Sequence, residues 1–501
     1  MATAQSAIFN DVAEDTFKAI AENVIGNDLI IENAFGKRRL IYADWIASGR
    51  LYSPIEQLLT DYFGPLVGNT HSESSLTGEA MTIAYKKAYT IIKNHVNASH
   101  EDVLIPTGSG MTTAICKLQR MLGLHIPEKA KQFYNQPTSE RPVVFLTHME
   151  HHSNHTSWLE CEVDVVVVPP GDNLMVDPEQ LEKELLKYAD RKIKIGSFTA
   201  CSNVTGIFTP YHKLAALMHQ HGGLCFVDFA ASAPYAEMNM HPENPDEGLD
   251  AIFFSPHKFL GGPGSSGILI FNRKLYSNRI PDQPGGGTVM WTNPWGDHHY
   301  IEDIETREDG GTPAFLQTIR AALAVRLKEQ MGVENIIERE HKLLDIAFTK
   351  LSSIPGLTIL APETRERLGV ISFYVENLHF NFIVRALSDH FGVQVRGGCS
   401  CAGTYGHYLL HVTKEQSKEI TDKIDAGDLS SKPGWIRLSL HPVMTENEVH
   451  FICDAIREIA TNADQLLKSY EYSVKTNEYY PLQQDDFLSE KLEKWFRLEE
   501  D

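Results

Sequence analysis

Short apolar runs recur along the chain, each closed by a polar or glycine-bearing segment. They lie near Val103, Val143, Val165, Ile193, Leu224, Ala251 and Ile268, with helix-spaced stretches such as Tyr211 to Gln220 between several of them. Runs that are apolar throughout, rather than at alternate positions, belong to strands buried on both faces, so this alternation predicts an α/β fold: a mainly parallel sheet covered by helices. Before about Ala34, Val12, Phe17, Ile20 and Ile25 recur at roughly helical spacing between acidic residues, predicting a helical arm, residues 1–40, packed on the small domain. The large domain is expected over 41–313. From Ala314 a long helical pattern leads to a smaller α+β domain, 314–465. There Leu357 to Leu360, Val370 to Phe373 and Val393 to Val395 read as strands, and Phe382 to His390 and Glu446 to Ala460 as helices. The remainder, 466–501, combines dense charge with Tyr470, Tyr472, Tyr479, Tyr480 and Trp495 and reads as a charged helical tail, partly docked by those aromatics.

The chemistry-bearing residues follow the apolar runs, at the strand ends where open α/β sheets bind ligands. Lys258 lies in Ser255-Pro-His-Lys258, just past Ala251-Ile-Phe-Phe254 and before a glycine-rich turn. A lysine partly desolvated there can form a Schiff base; the alternative is a solvated surface lysine. Asp228 closes Leu224-Cys-Phe-Val-Asp228, where a buried carboxylate needs a cation or several donors. Gly108, Ser109 and Gly110 open a predicted helix after Val103-Leu-Ile105 and suit a phosphate, although such turns also arise for backbone reasons alone. His148, His151, His152 and His155 follow Val143-Val-Phe-Leu146. Their spacing fits no zincin pattern, and no metal is expected.

Together these segments resemble the class V aminotransferase branch of fold-type I pyridoxal phosphate enzymes, within it the cysteine desulfurase and selenocysteine lyase group, from about Ile41 to about Ala460. The resemblance implies the cofactor pyridoxal 5′-phosphate, held covalently by Lys258. Asp228 would pair with its pyridine nitrogen, and His151 would stack on its ring and also move protons during the reaction. Asn203 would sit near its phenolic oxygen and the substrate carboxylate. Ser255 and His257 would join Gly108, Ser109 and Gly110 around its phosphate. Thr288, in Gly285-Gly-Gly-Thr288, would reach the phosphate of a neighbouring subunit, implying a homodimer with shared sites. Arg437 matches the arginine that clamps an α-carboxylate, a task suited to a guanidinium fork, and Arg396 is a second candidate to bind the substrate. In Arg396-Gly-Gly-Cys-Ser-Cys401, Cys401 matches the sulfur-accepting cysteine, with Arg396 and the Gly-Gly turn available to favour its thiolate.

The implied reaction converts L-cysteine to L-alanine and leaves a persulfide on Cys401, with Lys258 moving the α-proton. Two departures stand out. Ala231 occupies the position where desulfurases usually carry a glutamine to the phenolic oxygen, and Cys399 places a second thiol beside Cys401. Cys399 is open to three readings: resolving a persulfide, helping to bind metal, or packing as a small residue. Two further functions stay open: another class V reaction (aminotransferase, epimerase or C–S lyase), and a non-catalytic sulfur- or metal-binding interaction protein on the same scaffold.

Composition narrows the setting. The chain has 501 residues, 42% hydrophobic and 22% charged, enough for a large core and two domains. A formal net charge of −21 disfavours nucleic acid and anionic membrane, and is compatible with a basic sulfur-acceptor protein. Seven thinly spread cysteines suit a reducing compartment, and with no bilayer-length apolar run and no basic flank at Met1 the expected location is the cytoplasm. Leu124 to Pro142 and Lys414 to Lys432 read as polar insertions relative to compact desulfurases.

Overall fold

The computed structural model describes residues 14–70, 73–134, 140–483 and 487–497. Among them, the seven apolar runs become the seven strands of one sheet, in the order Asp102–Thr107, Gly267–Asn272, Ala251–Phe254, Leu224–Asp228, Lys194–Thr199, Val143–Thr147, Asp164–Val168. Neighbours are parallel from Ala251–Phe254 through Asp164–Val168. Gly267–Asn272 runs antiparallel to both of its neighbours. Every residue of Val143–Thr147, Lys194–Thr199 and Ala251–Phe254 is buried, because helices cover both faces. One side packs Val144, Leu146, Phe226, Phe253 and Leu269 against Ile115 and Leu118 of the helix Met111–Met121 and against Trp158. At about 25 cal/mol per Å² of apolar surface removed from water, this burial dominates what holds the sheet together.

The chain divides into two units. The larger comprises residues 1–25, 46–338 and 366–368; the smaller comprises 26–45, 339–365 and 369–501. The smaller contains a four-stranded antiparallel sheet in the order Leu357–Ile359, Val370–Val375, Trp435–Ser439, Arg396–Gly398, with the helices Phe380–Ala386 and Glu446–Thr461. The short strand Val393–Gln394 stays out of that sheet and pairs in parallel with Ile41–Tyr42.

The two ends of the chain differ from the helical segments expected of them. Residues 14–21 are helical, with Phe17 and Ile20 buried, and group with the larger unit; Val12 lies outside the described residues. Ile30–Asn33 and Gly36–Arg39 form a hairpin instead, because Asn33 and Gly36 make a turn and Gly36 adopts φ +108°. In the tail, Tyr470–Ser473 and Glu478–Pro481 form a second hairpin, and among the described residues beyond Ser469 the helix is Phe487–Trp495. Alternation of tyrosines with polar residues is a strand period, and it prevails here over the charge density. The insertion at 414–432 holds the solvent-facing helix Lys414–Asp425, opened by a Thr413/Gln416 capping box. Part of the other insertion, 135–139, lies outside the described residues.

Candidate active site

In the larger unit, five strand ends each deliver a functional segment. The strand Ala251–Phe254 passes through Ser255 into a tight turn, Pro256–Lys258, which leaves Lys258 half-buried. That turn is hemmed in by backbone: a methyl group at Gly49 would fall 1.9 Å from the Phe259 carbonyl oxygen, and one at Gly262 would fall 1.8 Å from that of Pro256. Beside it, the Ser255 hydroxyl accepts a hydrogen bond from the Met111 amide at 2.8 Å, tying the lysine turn to the start of the helix Met111–Met121. Gly108, at φ +53°, and the exposed Ser109 make the turn into that helix. A methyl at Gly110 would stand 3.1 Å from Ser255 Oγ and 3.5 Å from His257 Nε2. The side-chain-free surface at Gly110, flanked by a hydroxyl, an imidazole and a helix N-terminus, is a cradle with the donors an anion requires.

Asp228 is buried at the end of its strand, and Oδ1 accepts from the Ala230 amide at 2.8 Å. Burial pushes its pKa up to about 6, while the Ala230 bond and the charge of Lys258 pull the other way. It is a buried carboxylate with capacity for a cationic partner. His257 is pushed down to about 4 by burial and then by Lys258, so it is neutral.

His151 caps the helix His152–Leu159, its Nδ1 accepting from the Ser153 amide at 3.1 Å, which leaves the ring proton of the neutral form on Nε2. The loop that carries it is held by Glu150, a residue to which the sequence reading assigned no role. Its carboxyl accepts from Thr147 N (3.2 Å), Thr147 Oγ1 (2.7 Å), Thr199 N (2.9 Å) and Asn154 Nδ2 (2.6 Å), joining two strand ends to one helix. Burial pushes Glu150 up to about 8 against those bonds, with Asp228 adding to the rise. Asn203 is buried in a turn where Ser202 Oγ accepts from the Val204 amide at 3.1 Å. His148 is buried with Nε2 2.9 Å from the Leu174 carbonyl oxygen. No group of three or more His, Cys, Asp or Glu arranged to hold a metal occurs among the described residues. Thr288 is fully buried, and its hydroxyl donates to the Gly285 carbonyl at 2.7 Å within its own turn.

In the smaller unit, Arg437 and Arg396 face each other across paired strands. Both reach Asp44, Arg437 Nη2 at 2.7 Å and Arg396 Nε at 3.2 Å. Arg437 is buried, which draws its pKa below the ordinary value while Asp44 opposes the drop. Arg396 is half exposed. Asp44 escaped the sequence reading because nothing local marks it; its partners lie more than 350 residues further on. Past Arg396–Gly398 the chain turns sharply, with Ser400 at φ +52° and Cys401 at φ +56°. Cys401 is exposed and Cys399 is half-buried. Trp435 Nε1 donates to Ser400 Oγ at 3.2 Å, pinning the middle of the turn.

A Schiff-base-competent lysine, a buried anion and an anion cradle at the ends of a mainly parallel sheet define a fold-type I pyridoxal phosphate enzyme. A family model for class-V aminotransferases matches residues 41–452, and the chain belongs to that family. Its cofactor is accordingly pyridoxal 5′-phosphate. The probable cysteine desulfurase of Staphylococcus aureus strain Mu50 is 28% identical over 392 residues, 78% of this chain and 89% of that protein. That of Halalkalibacterium halodurans is 27% identical over 372 residues, 72% and 84% of the two chains. Among solved structures, the apo cysteine desulfurase of Thermococcus onnurineus NA1 superposes with a TM-score of 0.69 at 21% identity, covering 89% of this chain and 98% of that one. An Escherichia coli cysteine desulfurase gives 0.67 at 20% identity, covering 91% and 98%. These two likenesses establish the fold.

Proposed function

We propose that the protein is a cysteine desulfurase that converts L-cysteine to L-alanine and places the removed sulfur on Cys401 as a persulfide. The observation that carries this reading is an exposed cysteine on a tight turn, just past a strand that pairs directly with the one carrying a buried arginine, in a class-V chain whose Lys258 and Asp228 follow or end adjacent strands. The curated relatives named probable cysteine desulfurases support it.

Bound pyridoxal phosphate supplies an electron sink that acidifies the α-proton of an attached amino acid. Lys258 would hold the cofactor and, once released, its amine would take the α-proton. Asp228 would pair with the pyridine nitrogen, His151 would lie against the ring, and Asn203 would meet the phenolic oxygen and the substrate carboxylate. Gly108, Ser109, Gly110, Ser255 and His257 would hold the phosphate. Arg437, oriented by Asp44, clamps the α-carboxylate with Arg396 beside it. The Cys401 thiolate attacks the substrate sulfur; the C–S bond breaks, the S–S bond forms, and the substrate carbon gains a proton to become alanine. A thiol reductant or an acceptor protein then removes the sulfur. Sharing of sites in a homodimer, through Thr288, belongs to this proposal and would require the Thr288–Gly285 bond to open. So does a cytoplasmic location; no described helix is long and apolar enough to cross a membrane.

Ala231, standing where a glutamine was expected, favours a second reading: the same cofactor acting on another amino acid. One experiment separates the two. Visible spectra are recorded before and after L-cysteine, with alanine and sulfide assayed in the same tube, for the parent, Lys258→Ala, Cys401→Ala and Cys399→Ala. Under the desulfurase reading the parent's band shifts and alanine and sulfide form; both fall to background in Lys258→Ala and Cys401→Ala and persist in Cys399→Ala. A band shift without sulfur release in the parent would replace it with the second reading.

A further inference from the structure

The family match ends at residue 452, whereas the hairpin formed by Tyr470–Ser473 and Glu478–Pro481 lies beyond it. Asn477, in the hairpin turn, adopts φ +60° and is 5% exposed. Its Oδ1 accepts from Tyr472 Oη at 2.7 Å and lies 3.0 Å from His379 Nε2. His379 Nδ1 accepts from the Asn381 amide at 3.1 Å, which puts the ring proton on Nε2, so His379 donates to Asn477. The Asn477 carbonyl accepts from Asn381 Nδ2 at 2.6 Å. The hairpin thus grips both His379, which caps the helix Phe380–Ala386, and Asn381 in its first turn.

That first turn lies directly against the strand leading to the cysteines. A methyl at Gly397 would come 2.6 Å from Asn381 Oδ1 and 3.0 Å from the Phe380 ring. One at Gly434 would come 2.6 Å from Phe380 and 2.9 Å from Gly398 Cα. Cys399 follows Gly398 immediately, and Gly398 pairs with Trp435, whose indole holds Ser400. Contact is continuous from the appended hairpin to the thiol turn, all within the smaller unit.

We infer that this hairpin is a positioning device for Cys401 and that Asn477 is its positioning residue, acting through His379 and Asn381. The inference rests on the desulfurase reading for the role of Cys401. Around Ser400 and Cys401 the backbone is in a region that non-glycine residues avoid, so the turn persists only where its surroundings over-determine it. The hairpin supplies part of that restraint from outside the family core.

The test uses the full-length holoenzyme. Asn477→Gly tolerates the positive φ and removes the acceptor; Asn477→Asp keeps both; Asn381→Ala removes the second link. Two quantities are read: the rate of Cys401 carbamidomethylation by iodoacetamide, followed on the Cys401 peptide by mass spectrometry, and kcat and KM for alanine formation. Loss of one or two hydrogen bonds predicts about a three- to tenfold change in Cys401 alkylation rate and a similar fall in kcat for Asn477→Gly and Asn381→Ala, with KM and the cysteine-induced band shift unchanged. Asn477→Asp should match the parent. Parental rates in both Asn477→Gly and Asn381→Ala, or equal impairment in Asn477→Asp and Asn477→Gly, would overturn the inference. Tyr472→Phe, which removes one hydroxyl, carries the test if Asn381→Ala does not fold. Absence of alanine formation in the parent would remove the desulfurase reading, while the alkylation rates would still decide the positioning.

Discussion

Asp228 and Cys401 are reached by backbones in opposite conditions. Asp228 ends a strand paired on both sides, is 3% exposed, and adjoins a lysine turn walled by main chain. Cys401 follows the edge strand of a smaller sheet, is exposed, and sits on two consecutive left-handed residues. The first arrangement suits a group that must stay fixed and anionic in low dielectric; the second suits a thiol that must be met by reagents of varied size. On the proposed reading, one part of the chemistry is protected by burial and the other depends on neighbouring restraint.

The sharpest way to break this contrast is Asp228→Asn. If the buried anion serves the cofactor, turnover should fall on the order of 10² to 10⁴-fold while the variant still takes up cofactor, as read by alanine formation and the visible spectrum. A loss of only severalfold would make Asp228 structural. Next comes Arg437→Lys. A lysine keeps the charge but loses the fork, and hydrogen bonds to charged groups contribute about 1.5–3 kcal/mol, so kcat/KM should drop about 10- to 100-fold, measured by steady-state kinetics.

Gly110→Ala sharpens the comparison more gently. The added methyl stands within 3.1 Å of Ser255 Oγ, which should narrow the phosphate cradle and speed cofactor loss about three- to tenfold on dialysis. The smallest effect concerns a buried acid in the other unit. Glu340 accepts from the Gly369 amide at 3.1 Å, and burial pushes it up to about 8. A folded pKa above the unfolded value of 4.5 means that its contribution is full below pH 4.5 and is lost as pH rises to about 8. Glu340→Gln should therefore melt within a degree or so of the parent near pH 5 and a few degrees higher near pH 8.5, by thermal denaturation.

The sheet was readable because each strand is a short, continuously apolar run, and burial on both faces leaves no other pattern for it to show. Lys258, Asp228 and the Gly108–Gly110 turn could be located for the same reason: each lies one step beyond such a run. Glu150 and Asp44 could not be assigned. Glu150 was visible between two histidines, but its function lies in Thr199 and Asn154, brought to it only by the sheet. Asp44 acquires its meaning from two arginines on strands near the other end of the chain. The C-terminal hairpin was read as helix because charge and aromatic content outweighed a period-two alternation only four residues long, and the N-terminal one because the helical spacing of Phe17, Ile20 and Ile25 was carried past its end.

The backbone walls around Lys258 carry a consequence for how such an enzyme can diversify. Where the Cβ of any residue but glycine would meet a carbonyl oxygen at under 2 Å, as at Gly49 and Gly262, mutation has almost no variants to offer. The lysine turn is therefore a fixed mount, and a lineage changing its preferred amino acid would have to write that change elsewhere. In the thiol turn the exposed position is Cys401, and the segments that brace it are themselves constrained by close packing at Gly397 and Gly434, so such change falls to surfaces beyond both mounts.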